Sequence, residues 1–337
     1  MSATQDRKHK LLKKHSLIYI EQLPPGIKRR KCGRGYTFVD ENGKTVKCEK
    51  TRARLKTLAI PPSYREVYYC ADENGHLQAT GRDGNDKLQY FYHEKWVDLR
   101  DRVKFDRMFD FGLALPGFRR RIYRHLKDAD DDKTYVMAGM ARLLDKTGMR
   151  IGSDHATDTN QTYGLTTLDK NHIELDGSHF DIHYHGKGNV EIDTEGRDEI
   201  ASKVIAHCAE IPGQRLFKYQ DHNGQVHKIG SSQFNDFLKE NMDGEFTAKD
   251  FRTWRFSVLF LEELMKACKK EDKITLKGLL ETVSEKSGNT PSVLQESYVH
   301  PMLIDKAKSE DCTDLDEDFE AQPNLLKAET IFLNLIR

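Results

Sequence analysis

Apolar residues recur at helical spacing between Thr134 and Met149, where Val136, Met137, Met140, Leu143 and Leu144 share one face and Gly148 closes the run. That spacing predicts an amphipathic helix with one buried side. The first hundred residues read differently. Tyr36–Asp40 and Lys44–Val46 flank an Asn42-Gly43 turn, Val67–Cys70 and His76–Thr80 flank Asn74-Gly75, and both pairs predict β-hairpins. Leu88–Tyr92 follows as a strand whose alternation sends Gln89 and Phe91 to one side and Tyr90 and Tyr92 to the other. Beyond the helix, residues 164–194 are strand-rich, with turns at Asp169–Asn171, Asp176-Gly177 and Gly186–Asn189. Helical spacing returns at Ile200–Cys208, at Phe234–Met242 and in a long stretch after Thr247, where Asp250 follows a capping threonine by three positions. Thr290-Pro291 supplies a cap followed by proline in the first turn.

These elements predict an α+β chain with a small antiparallel, β-rich N-terminal domain over residues 1–100. A larger, mainly α-helical domain over 101–337 carries an inserted three-stranded sheet. A length of 337 residues accommodates two such domains at ~100–200 residues each. The 16 Phe and 13 Tyr are spread along the chain, which excludes a disordered protein. The apolar run Phe256–Leu261 is far below the ~18–20 residues of a membrane span, so no membrane partner is expected. The N-terminus, MSATQDRKHKLLKKH, has no apolar core of a secretory signal, and the expectation is an intracellular protein. Its six cysteines, at 32, 48, 70, 208, 268 and 312, show no C-x-x-C, so reduced thiols are expected rather than a zinc site or disulfides.

A net charge of zero hides a polarised chain. Residues 1–60 hold 16 Lys/Arg against 5 Asp/Glu, and the acids concentrate later, in Asp128–Asp132 and in Glu310–Glu320. Such a distribution fits a protein that grips a polyanion with one part, although an ordinary charged surface reads equally well from composition alone. The tetrad Lys28–Lys31 runs into a strand and reads as built into the fold rather than as an import signal.

No phosphate-cradling glycine loop of either nucleotide-binding type occurs, and the carboxylates fall in solvated runs that give a metal no support. What remains is a set of Arg, Lys and Tyr residues beside turns and helix ends. Arg150 follows the amphipathic helix, Lys187 lies between Gly186 and Gly188, Arg252 opens a helix, and Tyr298 follows the Thr290-Pro291 helix start. Taken singly, an Arg near a helix end reads as a surface ion pair and a Tyr late in a helix as core.

In this order, with Ile60-Pro61-Pro62-Ser63-Tyr64, Gly75-His76-Leu77-Gln78-Ala79-Thr80-Gly81-Arg82-Asp83, Gln89-Tyr90-Phe91-Tyr92-His93, Gly164-Leu165-Thr166-Thr167-Leu168 and Gly288-Asn289-Thr290-Pro291…Ser297-Tyr298-Val299-His300-Pro301, they resemble a known family. The chain is similar to the small type IB DNA topoisomerases of bacteria and poxviruses, from Pro25-Gly26-Ile27-Lys28 to His300-Pro301. The resemblance implies that Tyr298 attacks a DNA phosphodiester, forms a 3′-phosphotyrosyl link and expels a 5′-hydroxyl, without metal, ATP or other cofactor. Arg150, Arg252 and Asn289 would hold the non-bridging oxygens, and Lys187 would protonate the leaving oxygen. Gln89, Tyr90 and Tyr92 would lie in the major groove, with Arg82 on a phosphate, in a β domain that helps to clamp duplex DNA.

The chemistry suits these residue types. A phenol has an ordinary pKa near ~10 and needs cationic surroundings to attack. Guanidinium forks stabilise charge gathering on equatorial phosphate oxygens, and a very basic leaving alkoxide calls for a general acid. Asn289 stands where poxvirus members carry His and matches the bacterial form. Ala156, beside His155, stands where they carry a DNA-contacting Tyr, so no target sequence is carried over. A tyrosine site-specific recombinase is the alternative, but recombinases usually place His three residues before the second Arg, where this chain has Lys249. A non-catalytic duplex-binding module is the other. The expectation is a monomer on the nucleoid DNA of a bacterial cytoplasm, with a virion or nucleus as alternatives. The acidic stretch Glu310–Glu320 reads as a linker before a last helix, Leu325–Ile336.

Overall fold

Five antiparallel strands form the N-terminal region in the computed structural model, which describes residues 12–23, 26–33, 35–270, 274–315 and 322–337, the side chains of 98, 101 and 102 excepted. Residues 1–11 and Arg34 of the basic segment, Pro25 at the start of the resemblance and residues 316–320 of the acidic stretch lie outside the described residues. The strands are β1 (Ile27–Cys32), β2 (Gly35–Val39), β3 (Arg65–Tyr69), β4 (Leu77–Arg82) and β5 (Leu88–Tyr92), in the order β2-β1-β3-β4-β5, with helix α1 (Glu49–Thr57) between β2 and β3. Ile27, Phe38, Leu55, Ile60, Val67, Tyr69 and Ala79 form their core. The Asn74-Gly75 hairpin is β3–β4. At Asn42-Gly43 only a stub returns, through the Val39–Thr45 bridge, because β2 pairs along its length with β1 instead.

The long proline-containing motif proves to be scaffold. Arg29 of β1 donates to the carbonyls of Ile60, Pro61 and Pro62 at 3.2, 2.9 and 3.3 Å, and so fixes that turn. Gln78, buried in β4, donates to Gly75 O at 2.7 Å and accepts from Arg54 of α1. A Cβ on Gly75 would lie 2.6 Å from Cys70 Sγ, so any larger residue there would force that side chain to move.

The chain divides into two compact units between Lys104 and Phe105. That point falls inside α2 (Glu94–Asp128), a 35-residue helix that continues through Pro116 and that the sequence reading did not find. The second unit continues with α3 (Asp132–Thr147), α4 (Asp154–Asn160), a sheet β6 (Ile173–Asp176), β7 (His179–Gly186) and β8 (Val190–Arg197), and α5 (Glu199–Glu210). An unexpected ribbon, β9 (Lys218–Gln220) and β10 (Val226–Lys228), precedes α6 (Ser231–Asn241) and α7 (Ala248–Lys270). Then come α8 (Leu276–Ser287), α9 (Pro291–Ser297), α10 (Pro301–Lys308) and α11 (Lys327–Leu335). The fold is that of a type α+β chain with the inserted three-stranded sheet in the order β6-β7-β8.

Phe111 and Phe118 of α2 pack on Phe251 of α7, with ring centroids 4.9 and 5.0 Å apart, and all three are buried. Burying each ring contributes about 1.5–3 kcal/mol, so the N-terminal end of α7 is firmly seated. One expectation fails. Cys268 near the end of α7 is disulfide-bonded to Cys312, with Cα atoms 5.9 Å apart, while Cys32, Cys48, Cys70 and Cys208 are free. The partners are 44 residues apart in sequence, so no short spacing announces them, and only the folding of the helices between them brings them together. Among the described residues no helix is long and apolar enough to cross a membrane.

Candidate active site

Four of the candidate residues, Arg150, Arg252, Asn289 and Tyr298, are placed by helix ends. Asp131 caps α3 by accepting from Thr134 N, and Gly148 ends the helix in the left-handed region at φ +62°. The chain that follows, Arg150–Gly152, is clasped by the Gly164–Thr167 turn. Leu165 N donates to Arg150 O and Thr166 N to Ile151 O, both at 2.8 Å. A Cβ on Gly164 would fall 2.5 Å from Gly152 N and 2.6 Å from Arg150 O, which gives the Gly-Leu-Thr-Thr-Leu motif its physical reason. Arg252 is the fifth residue of α7, just past the first turn. There Thr247 N and Oγ1 donate to Asp250 Oδ2 at 2.8 and 3.0 Å, the expected cap with a carboxylate. Asn289 follows Gly288, the left-handed end of α8, and Tyr298 follows α9, capped by Thr290 with Pro291 behind it.

Four residues from these distant points meet. Arg252 Nε donates to the Tyr298 hydroxyl at 3.3 Å, and its guanidinium lies 4.8 Å from the centre of that ring. A terminal nitrogen of Arg252 donates to Asn289 Oδ1 at 3.2 Å, and one of Arg150 donates to the same oxygen at 2.9 Å. The third nitrogen of Arg252 is tied to Gly148 O. Arg252 is 5% exposed, Asn289 5% and Tyr298 9%, so the Arg252 guanidinium stands in a largely dry setting, with Arg150 half-buried beside it. Asn289 Nδ2 donates to Ser287 O at 3.0 Å. The amide therefore faces both guanidinium groups as an acceptor and pins them side by side, rather than offering a donor as the sequence reading assumed.

Two guanidinium groups sharing one neutral acceptor leave a strong positive field unsatisfied. The phenol registers it. Burial pushes the Tyr298 pKa up, but the charge and hydrogen bond of Arg252, with Arg150 and Lys249 behind it, outweigh burial and leave it below the ordinary value. Burial also lowers the Arg252 pKa, as does Arg150, whereas Tyr298 opposes the shift. Tyr184 of β7 feels the same two arginines, but burial dominates and its pKa is raised.

Ser257 and Lys249 escaped the sequence reading. Ser257 Oγ donates to Tyr298 O at 2.9 Å and accepts from His300 N at 3.0 Å, latching the tyrosine segment to α7. Its position, five residues past Arg252 inside an apolar run, resembles core. Lys249, three residues before Arg252, was read only as the absence of histidine.

Lys187 is not part of the cluster. It stands exposed at the tip of the β7–β8 hairpin, and its side chain makes no hydrogen bond or ion pair with any described residue. Close to that tip, the hairpin is anchored beside Asn289. Ile192 abuts Gly288 so closely that a Cβ there would lie 2.4 Å from its Cδ1.

The other sequence-predicted contacts lie in the first unit. Tyr90, 52% exposed, and Tyr92 point to one side of β5 with rings 6.4 Å apart and nearly parallel. On the other side Gln89 Nε2 donates to Asp83 Oδ2 at 2.6 Å. Arg82 is paired with Glu66 at 2.8 Å and donates to Asp86 O at 2.9 Å.

Elsewhere, His179, Asp181 and Glu195 bring possible metal-ligand atoms within 4.8 Å of one another on β7 and β8. A cleft of ≈ 1090 Å³, lined in part by Arg142, Glu195, Arg255 and Glu329, does not include Tyr298, Arg252 or Arg150, and the charge geometry outranks its size as a guide to chemistry.

The family model of the eukaryotic DNA topoisomerase I catalytic core matches residues 93–317, and that of the bacterial DNA topoisomerase IB N-terminal domain matches residues 35–83. DNA topoisomerase 1B of Acanthamoeba polyphaga mimivirus is 27% identical over 292 residues, covering 83% of this chain and 86% of that protein. DNA topoisomerase 1B of Vaccinia virus (strain Copenhagen) is 23% identical over 253 residues, covering 70% and 74%. The mitochondrial DNA topoisomerase I of Rattus norvegicus is 27% identical over 200 residues, covering 56% of this chain and 32% of that protein.

Proposed function

Because the chain belongs to the DNA topoisomerase I family, in its type IB branch, we propose that Tyr298 is the nucleophile that breaks and reseals one strand of duplex DNA. The protein is a DNA topoisomerase and its substrate is DNA. The observation that carries the assignment of its chemistry is the buried Tyr298 hydroxyl 3.3 Å from Arg252 Nε, with Arg150 joined to the same guanidinium through Asn289.

In this reading the Tyr298 oxygen attacks phosphorus, the P–O5′ bond breaks, and the phenolic proton passes to water. The products are a 3′-phosphotyrosyl ester and a free 5′-hydroxyl. Arg252 and Arg150 receive the non-bridging oxygens, whose growing charge replaces Asn289 Oδ1 as their partner. Before DNA binds, Asn289 keeps the two forks adjacent; donating to phosphate itself requires its amide to turn over. Lys187 supplies the proton to O5′, which requires the hairpin tip to close over bound DNA. One phosphodiester replaces another of similar energy, so resealing is the reverse reaction and needs neither ATP nor metal. Between the two steps the free strand end rotates and supercoils relax. Tyr90, Tyr92, Gln89 and Arg82 are assigned to DNA contact in the N-terminal domain, and residues 1–100 and 101–337 to the clamp and the catalytic domain. One copy of the chain suffices for this cycle, and we assign it to a bacterial cytoplasm, on nucleoid DNA.

Supercoiled plasmid incubated in EDTA without ATP tests the reading. Wild type is expected to give relaxed topoisomers and, after denaturant quenching, a covalent adduct at Tyr298. Tyr298→Phe is expected to bind duplex and cleave nothing. Adduct formation in Tyr298→Phe, or relaxation that stops on removal of divalent ions, contradicts the assignment.

A further inference from the structure

Helix α11 begins ten residues after the matched catalytic core ends at 317, yet it reaches the back of both elements that form the site. Phe332 is fully buried, with its ring centroid 5.0 Å from Trp254 and 5.8 Å from His300. Trp254 stands two residues after Arg252 on α7, about 200° around the helix from it, so it leaves by the face turned away from the phosphate site. His300 follows Tyr298 by two residues. One turn before Phe332, Glu329 is 3% exposed. It accepts from Trp254 Nε1 at 3.2 Å and from both terminal nitrogens of Arg119 at 2.7 Å. Arg119 also grips Asp145 of α3, the helix that delivers Arg150, at 2.7 and 3.0 Å.

A buried ring and a buried carboxylate on one short helix thus bear on the supports of Arg252, Tyr298 and Arg150 together. We propose that α11 is a brace, with Phe332 and Glu329 as positioning residues that set the spacing between the nucleophile and the two guanidinium groups. This rests on the catalytic assignment above. Ser257 latches the tyrosine segment to α7 from within the site, and Phe332 holds the same two segments from behind. Without the ring, Trp254 and His300 lose a shared neighbour, and the spacing of Tyr298 and Arg252 keeps the Ser257 latch but loses its support from α11. The chemistry is sensitive to such a change, since a misplacement of about 1 Å lowers a rate by about 10²-fold.

The test compares wild type with Phe332→Ala, Phe332→Leu, Glu329→Gln and Leu238→Ala. It measures single-turnover cleavage at saturating DNA, DNA affinity and melting temperature. Leu238 is fully buried on α6, a helix that carries none of the site residues, so it is the control for lost packing alone. Phe332→Ala is expected to cleave about 10²-fold more slowly with Kd changed by less than about threefold, and Phe332→Leu to recover most of the rate. Leu238→Ala is expected to melt earlier but to cleave within about threefold of wild type. Glu329→Gln keeps the shape, so it reports even if Phe332→Ala fails to fold, and it is expected to cleave about tenfold more slowly at unchanged affinity. Equal rate losses in Phe332→Ala and Leu238→Ala, or wild-type cleavage by Glu329→Gln, overturn the brace and leave the catalytic assignment standing. A wild-type protein that forms no adduct at Tyr298 overturns the assignment and the brace with it.

Discussion

Tyr298 sits between two opposed influences. Its burial favours the neutral phenol, and Arg252, Arg150 and Lys249 favour the anion strongly enough to leave the pKa below the ordinary value. The sign for catalysis follows: the phenolate fraction at a given pH is larger than for a free tyrosine, and removing the cation while keeping the burial reverses it. Arg252→Ala is therefore expected to slow single-turnover cleavage by about 10²–10⁴-fold and to move the rising limb of the pH–rate profile to higher pH. A slower variant with an unmoved limb would mean that Arg252 acts on the phosphate alone. Ser257 makes a different case. Ser257→Ala removes the hydroxyl that joins Tyr298 O to His300 N, a loss of about 1–3 kcal/mol in thermal unfolding. It is expected to slow cleavage without changing DNA affinity, because the latch holds the backbone of Tyr298, the proposed nucleophile.

Helix ends organise the larger pieces, and Asp198 shows how much one cap can hold. It caps α5 through the backbone NH groups of Ile200 and Ala201 and receives Arg142 and Lys146 of α3 at 2.8 Å each. Burial pushes its pKa up, but the hydrogen bonds from Arg142 and Lys146 prevail and hold it at about 2. A carboxylate depressed from its usual value near ~4 stabilises the fold fully above that pH and loses the contribution as pH falls toward the folded value, an effect of about 2 kcal/mol. Asp198→Asn is expected to lower the melting temperature at pH 7 and to flatten its decline between about pH 4 and 2, measured by thermal unfolding across that window.

The same local signals made much of the site legible. Gly148, the Thr247–Asp250 cap and the Thr290-Pro291 start announced the helix ends that carry Arg150, Arg252 and Tyr298. Period-two alternation found β5 at its observed bounds, Leu88–Tyr92. What escaped depends on contacts between distant segments. The α2 helix is studded with charges and interrupted by Pro116, so its packing on Phe251 supplies the order that periodicity did not reveal. Ser257 is indistinguishable from core until His300 lies against it. Cys268 and Cys312 carry no mutual signal across 44 residues, although the loop they close contains both Asn289 and Tyr298. Reduction, or Cys312→Ser, removes that constraint on the unfolded chain and is expected to lower stability by about 2–4 kcal/mol, read by thermal unfolding with and without reductant.

Over the whole chain, net neutrality conceals a division of labour among charges that the structure sorts by partner. In the basic first 60 residues, Arg29 is committed to the carbonyls of the Ile60–Pro62 turn and Arg54 to Gln78 and Cys70 O, so both serve the fold. Lys28, Arg30 and Lys31 on β1 and Arg52 and Lys56 on α1 instead stand exposed. Exposed cations are the ones able to displace counterions from a duplex, at a slope of about 0.9 in log K against log salt for each phosphate neutralised. Arg30→Gln with Lys31→Gln is thus expected to weaken binding similarly on unrelated duplex sequences and to flatten the salt dependence by up to about 1.8, with melting temperature unchanged. Arg29→Gln should do the converse, melting earlier while the salt slope holds. Arg82 provides the sharpest comparison, since reaching a phosphate means leaving Glu66. If it makes that exchange on DNA, Arg82→Gln flattens the slope by about 0.9, and Glu66→Gln, which frees the guanidinium, tightens binding. An unchanged slope in Arg82→Gln removes it from the phosphate contacts and leaves it an exposed ion pair that contributes little to the sheet.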